Sequence, residues 1–578
     1  MLSRTLFKYI FKDLFRIFMM TSGALAGIMS FGGLLRPLTR EGLDAGQVGK
    51  MLTYFTPAMT TYSFPIAALF ATAVVYGRLS ADNELTAARS SGISLFSMTV
   101  AGPALVLGLV VAIVSLLFLC FIVPASTLKV EKVVYSNLAK FVAGRIERNH
   151  EISFADQTIF AQDAIMPAPQ TLPPGQQQVV LISPTIVTVD RPRKEDRSFR
   201  VPKDFYTASR AILYIDPLPN GEEVQLTLRL DGGFKFPRQY EGAVELGVQE
   251  TEYGPFTIAS PIKEDVKFMD VWRLKELYAN VADSQKLRRL ISLFVFNGQR
   301  QAFFKEIADK LNGPTHKAIF NFENNDKYVL SWEGQGPAMS AGAELIAPIP
   351  QFAPPHPVGT TRPVADPNDA SKRPVVFRHE QNGRVVGFWR AAELHLYAKP
   401  NAATSQVDVT VDLRDVAFET SQGMAVRERF PQPFTVPMSE EAKAIGGRDL
   451  SYYESPQAAG LGDQKTLIRE KTSVINSIIA ESNGRASFAI SCLILVMVGC
   501  ALGMMFKSGN FLTAFAVSFV PALLSITLII AGQRTASRIP IHFTGSNNPL
   551  DFALALIWCG NLVNLCLAIG LMWKLQRR

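Results

Sequence analysis

Six histidines, His150, His316, His356, His379, His395 and His542, are the side chains best suited to bind a metal or move a proton near neutral pH. None stands in an H-E-x-x-H or another ligand spacing. No G-x-S-x-G turn marks a nucleophilic serine, and no G-x-x-x-x-G-K-[ST] loop marks a nucleotide site. All five cysteines, Cys120, Cys492, Cys500, Cys559 and Cys566, lie in or beside long apolar stretches, so residues 127–485 hold no thiol. That region is expected to carry no disulfide and no cysteine-bound metal, and its avoidance of cysteine suits an oxidising compartment. Its Asp and Glu residues are scattered and nominate no acid/base pair. The chain is expected to have no catalytic residue, no metal ligand and no cofactor of its own.

What remains is chemistry of contact. Residues 78–92 read RLSADNELTAARSSG, and the pattern predicts a short helix over about 80–91, lying along the membrane. Ser80 is placed to cap it, Asp82 and Glu84 sit in the first turn where the helix dipole favours anions, Arg89 lies in the last turn, and Gly92 can end it. Arg4, Lys8, Lys12 and Arg16 recur every four residues, a basic stripe on a helix, with Leu6, Phe7, Ile10 and Leu14 on the lipid side. Asn561 and Asn564 stand inside an apolar stretch, where amides usually join helices.

The elements that position these residues follow from composition. The chain has 578 residues, 48% hydrophobic and 19% charged, against about 25% charged in ordinary soluble proteins. Six uncharged stretches, 17–35, 54–76, 100–123, 486–506, 511–532 and 552–573, are each near the roughly 20 residues that cross a bilayer. The first is longer than the core of a cleaved signal peptide and is expected to be retained. Residues 1–126 form an N-terminal membrane half and 486–578 a C-terminal half. Together they hold 15 Lys/Arg and 6 Asp/Glu, whereas residues 127–485 hold 43 and 44. A nucleic-acid partner is excluded, because the large domain is neutral. With a cytoplasmic N-terminus, 10 Lys/Arg lie on the cytoplasmic side and 5 in the short loops opposite. The domain 127–485 is then extracytoplasmic.

Two stretches within it alternate strictly. Val224, Leu226, Leu228 and Leu230 form one apolar row, and Val407, Val409, Val411 and Leu413 another. With other strand-like segments between Gly, Pro and Asn, these predict a mainly-β fold of jelly-roll or sandwich type. We divide it into a β module at about 127–263, a helical insertion at about 264–315, a Pro-rich linker at about 337–373, a second β module at about 374–440, and a helix at about 466–482 leading to the fourth span. The fold class is thus a six-span α-helical membrane protein, three plus three, around a large mainly-β extracytoplasmic domain with a helical insertion.

The loop 77–94, preceded by Ser63-Phe-Pro-Ile-Ala-Ala-Leu-Phe70, resembles the lipopolysaccharide transport permease family of LptF/LptG type, also called YjgP/YjgQ. Residues 2–16, Val123-Pro124-Ala125, Gly503, and Trp558 with Asn561 are similar too, and the likeness covers the two membrane halves. The outer domain is longer than a single compact jelly roll, and Gly560 stands where the family tends to have proline. The resemblance implies a permease subunit of an ATP-driven exporter, in the bacterial inner membrane, that extracts lipopolysaccharide or a related glycolipid and passes it to a periplasmic bridge. ATP would be hydrolysed by a separate cytoplasmic ATPase dimer, and a homologous permease would complete the pair. The loop helix would couple to the ATPase through Glu84, supported by Asp82 and Arg89. Arg36 and Arg40 would meet lipid phosphates, for which the guanidinium fork is well shaped. The apolar rows, represented by Leu226, Leu228, Val409 and Val411, would carry acyl chains. The first and fifth spans would form the lateral gate. A rival is a membrane-anchored binding or sensor protein of the envelope, against which the lack of a cytoplasmic output domain counts. A membrane-embedded enzyme is a third reading, opposed by spans almost free of polar residues apart from their asparagines.

Overall fold

The computed structural model describes residues 2–41, 45–94, 97, 99–127, 129, 138–154, 157–166, 177–189, 202–217, 223–237, 244–246, 251–259, 265–321, 326–333, 373–401, 404–420, 423–505, 511–540 and 548–577. Two compact units emerge. One comprises Met1–Ala279 with Ser473–Arg578, the other Asn280–Thr472.

The first unit contains six helices long and apolar enough to cross a membrane. These are α1 (Leu2–Glu41), α2 (Ala45–Ala81), the span Gly102–Thr127 that begins with α4 (Gly102–Leu117), α10 (Gln464–Met505), α11 (Phe511–Ser537) and α12 (Leu550–Arg577). A seven-residue helix, α3 (Glu84–Ser90), follows α2. On α1, Ile10, Leu14, Phe18, Ser22, Ala26 and Ser30 are buried at every fourth position. This row lies roughly 200° round the helix from Arg4, Lys8, Lys12 and Arg16, all exposed. Ile10 and Leu14 are therefore corrected from lipid contacts to protein core, where they cluster with Leu79, Leu85 and Leu107. Opposite, Phe15, Met19, Met20 and Ile28 are exposed apolar surface of the kind lipid solvates.

Close helix approach is written in small residues. A Cβ added at Gly499 would lie 2.7 Å from the Leu69 carbonyl oxygen, and one at Gly503 2.7 Å from that of Ala73. This G-x-x-x-G face of α10 lets α2 approach to backbone contact. Asn561 donates to the Ser487 carbonyl at 2.8 Å, and Asn564 to Ser525 Oγ at 2.7 Å and the Pro521 carbonyl at 3.0 Å. The asparagines thus tie α12 to α10 and α11.

The first β module also belongs to this unit. Helix α5 (Leu138–Asn149) precedes β1 (Glu151–Phe154), β2 (Gln157–Phe160), β3 (Asp163–Ile165), β4 (Gln177–Ile182), β5 (Thr185–Val189), β6 (Pro202–Pro217), β7 (Glu223–Pro237), β8 (Val244–Leu246) and β9 (Thr251–Ala259). All pairs are antiparallel, in a path β1-β2-β5-β6-β7-β9, with β4 and β3 on the other half of the long β6 and β8 on β7. Ala139, Val142, Ala143 and Ile146 of α5 pack on Ala211, Leu213, Ile215, Leu228 and Leu230. Helix α6 (Val271–Ala279) then leads out of this unit.

In the second unit, α7 (Gln285–Asn312) precedes β10 (Lys317–Asn321), β11 (Asp326–Trp332), β12 (Val375–Gln381), β13 (Arg384–Asn401), β14 (Gln406–Thr420) and β15 (Gly423–Pro437), a six-stranded antiparallel meander. Phe303, Phe304, Ile307 and Leu311 of α7 fill its concave face. Helices α8 (Glu440–Gly446) and α9 (Leu450–Glu454) follow. Each module is one curled sheet, a half-barrel, which makes the expected jelly-roll or sandwich more specific.

Candidate functional site

The loop after α2 is built from both ends. Helix α2 runs on to Ala81, so Ser80 is not a cap: its hydroxyl donates to the Met504 carbonyl at 3.1 Å, joining α2 to α10. The chain then turns through Asp82 and Asn83, and Asn83 takes the left-handed conformation (φ 57°) that asparagine tolerates. The short helix is therefore 84–90 rather than 80–91. Asp82 precedes it, Glu84 opens it and Arg89 lies in its last turn. Gly92 ends it at φ 78°. Its N–H donates to the Arg89 carbonyl, and that of Ile93 to the Ala88 carbonyl, the paired bonds of a Schellman closure.

One side chain fixes how this helix faces. Leu85 is buried and belongs to the core cluster that also holds Leu79, Met504 and Leu575, with Ile93 packed against that cluster. Asp82, Glu84 and Arg89 are all exposed. Two further contacts brace the platform: Arg78 pairs with Asp13 of α1, and the fully buried Tyr76 donates to the Val100 carbonyl ahead of α4. The result is a small exposed charged surface on a buried apolar base. Sequence reasoning misses Leu85, Asp13 and the Ser80 contact. The G-x-x-x-G spacing of Gly499 and Gly503 is the readable signal for the α2–α10 approach.

Arg36 and Arg40 fall in the last turns of α1; their side chains lie outside the described residues. Leu226 sits in β7 opposite Ile215 of β6 and Phe256 of β9, and its side chain is likewise outside the description. Leu228 is buried under α5, while Val409 and Val411 are buried under α7. The first row thus lies in one unit and the second in the other.

A second charged cluster shows in the sequence only as an i,i+4 pair, with nothing to mark its burial or its distant partners. Glu481 and Arg485 of α10 are buried and paired at 2.8 Å. Gln533 of α11 donates to the other Glu481 oxygen at 2.8 Å, and Arg485 donates to the carbonyls of Lys267 (3.1 Å) and Met269 (2.7 Å). Two of the three guanidinium nitrogens are thereby met, and Nη2 clasps the segment leading into α6, while Nη1 has no partner among the described residues.

The family described as lipopolysaccharide export system permease LptF/LptG matches residues 8–267, from α1 through β9. The likeness carried by the 77–94 loop is borne out over that stretch. No curated protein matches the chain.

Proposed function

We propose that this chain, which matches the LptF/LptG lipopolysaccharide export permease family over residues 8–267, is the permease subunit of an ATP-driven exporter in the bacterial inner membrane. It extracts lipopolysaccharide, or a related envelope glycolipid, and passes it to periplasmic bridge proteins leading towards the outer membrane. The observation that carries this reading is the exposed Glu84 helix on its buried Leu85 base, within the matched stretch.

A machine is needed because exposing acyl chains to water costs about 0.8 kcal/mol per CH₂, so several chains cost tens of kcal/mol. The energy comes from a separate cytoplasmic ATPase dimer, since the sequence holds no phosphate-binding loop. Glu84, with Asp82 and Arg89, couples to it by charge-assisted contacts. A homologous permease subunit supplies the second half. Both termini are cytoplasmic and the β modules periplasmic, an orientation supported by the surplus of Lys/Arg on that side. Arg36 and Arg40 meet lipid phosphates at the outer end of the first span, and the first and fifth spans open as the gate. Acyl chains then follow the rows of Leu226, Leu228, Val409 and Val411. Because α5 and α7 cover the described part of those rows, passage requires these helices to shift.

The test is purification of the full chain in mild detergent with identification of its companions. An ATPase is expected to accompany the wild type, and Glu84→Arg to abolish both association and lipid-stimulated ATP turnover. Retention of both by the variant would sink the coupling assignment. A photocrosslinker at Leu226 or Val409 should label lipid in an ATP-dependent way; labelling indifferent to ATP would favour a static binding protein.

A further inference from the structure

A groove of about 400 Å³ lies between the third span, α6 and the middle of α10. This falls within the roughly 300–1,000 Å³ of small-ligand pockets. Leu116, Cys120, Leu274, Tyr278, Ile478 and Ile479 give it apolar walls. Its polar lining includes Lys275 and Arg485 and, among the described residues, no carboxylate.

The depth of the groove follows from helix geometry. Arg485 precedes Met505 by 20 residues, about 30 Å of helix, which is the thickness of the hydrocarbon core. Cys120 is 18 residues beyond Gly102, a similar rise from the same side. Met504 and the residues before Gly102 meet α2 near the charged loop, so the groove sits at the opposite interface. Helix α6 and the turn before it have an interfacial character of their own: Phe268 of the turn and Val271, Trp272 and Tyr278 of the helix are exposed around Arg273 and Lys275, an arrangement that prefers the headgroup boundary.

Arg485 supplies the specific observation. Its side chain is 3% exposed, with Nε held by Glu481 and Nη2 by the carbonyls before α6, yet Nη1 has no hydrogen-bond partner among the described residues. A buried guanidinium donor left without an acceptor is costly, and a phosphate oxygen offers this one remaining nitrogen a single charge-assisted hydrogen bond. Glu481 balances the charge of Arg485, so Lys275 leaves the mouth positive.

We propose that this groove binds a bilayer phospholipid, its phosphate held by Arg485 and Lys275 and an acyl chain lying against Leu116, Cys120, Ile478 and Ile479. The site is separate from the α1–α11 gate and does not depend on the identity of the exported lipid. Its occupant fastens α6 to the third and fourth spans at the membrane surface.

The experiment uses the full chain in detergent with a phosphatidylglycerol analogue bearing a diazirine in its acyl chain. Peptides containing Leu116, Cys120, Ile478 and Ile479 should dominate the labelling, and unlabelled phosphatidylglycerol should compete. Lys275→Glu, which reverses charge at the mouth, and Ser482→Trp, which fills the wall, should each lower that labelling at least fivefold. Arg485 is left native because Glu481 and the backbone before α6 depend on it. Labelling spread evenly over the lipid-facing helices and unchanged in both variants would overturn the proposal. So would competition by millimolar inorganic phosphate as effective as by the lipid, since the site would then take a free anion. Neither result bears on ATPase association, so failure here and failure of the export reading are separable.

Discussion

The two β modules repeat one plan with different filling. In each, a helix is followed by a histidine in the left-handed conformation, His150 at φ 54° and His316 at φ 49°. The carbonyl of each histidine accepts from the far end of the ensuing hairpin, from Ala161 at 3.1 Å and Trp332 at 3.0 Å. Then come six strands in one antiparallel order, β1-β2-β5-β6-β7-β9 in the first and β10 to β15 in the second. The inserted β3–β4 pair of the first corresponds in chain order to residues 334–372 of the second. Even the two alternating rows occupy matching strands: Leu213 pairs with Leu228 across β6 and β7, as Leu396 pairs with Val411 across β13 and β14.

The cores differ in kind. Among the described residues the first is aliphatic, with small α5 residues on Leu and Ile strands. The second is aromatic. Phe320 of β10 meets Phe434 of β15 at 5.0 Å between ring centroids, although these are the two edge strands, and Trp389 stacks on Phe430 at 5.1 Å. Large rings fill the bore and bring the edges of the sheet towards each other, whereas aliphatic side chains leave a core that a helix of small residues can cover. One topology thus yields a rigid plug in one copy and a lighter cover in the other.

That contrast can be broken in several ways, beginning with the largest expected effect. Phe304→Ala should destabilise the second module by about 3–5 kcal/mol, seen as lost amide-exchange protection in 316–437 with the first module unchanged. Ile146→Ala should cost about 2–3 kcal/mol and act only on 151–259. If either substitution loosened both modules equally, their independence would be wrong. Arg373, buried, donates through Nε to the Asp415 carbonyl at 3.0 Å and through Nη2 to its carboxylate oxygens at 3.0 and 3.2 Å, fastening the start of β12 to β14. Arg373→Met should lower the urea midpoint of the second module by an equivalent of about 2 kcal/mol, discounted because Asp415 is half exposed. Smallest are His150→Gly and His316→Gly. His150→Gly should stabilise its module by about 0.5 kcal/mol, as relief of left-handed strain is partly offset by glycine's entropy, and His316→Gly should gain less because it also loses the contact of Nδ1 with the Leu311 carbonyl at 3.0 Å. Destabilisation in one and not the other would show that the two turns are not equivalent.

Much of the layout is legible from the chain because it rests on local periodicity. A run of about 20 apolar residues crosses a bilayer wherever it occurs, and strict alternation marks a strand with one buried face. Gly92 likewise announces a helix end, because a left-handed residue there carries little cost for glycine. Other expectations fail where a non-local partner decides. Ser80 has the right identity for a cap, yet the Met504 carbonyl, 424 residues away, takes its hydroxyl. Ile10 and Leu14 read as lipid contacts because lipid and protein interiors are equally apolar. Only the packing of α1 against α2 and α4 distinguishes the two.

The sequence by itself determined the six spans, the charge division, the two apolar rows and the Glu84 loop, since composition and spacing along the chain encode them. The tertiary structure alone decided that the rows belong to equivalent strands of two half-barrels, that Leu85 turns Glu84 outward, and that Arg485 is buried with one donor unmet. Each of these depends on which distant residues meet, and pairing across hundreds of residues leaves no period in the sequence to read.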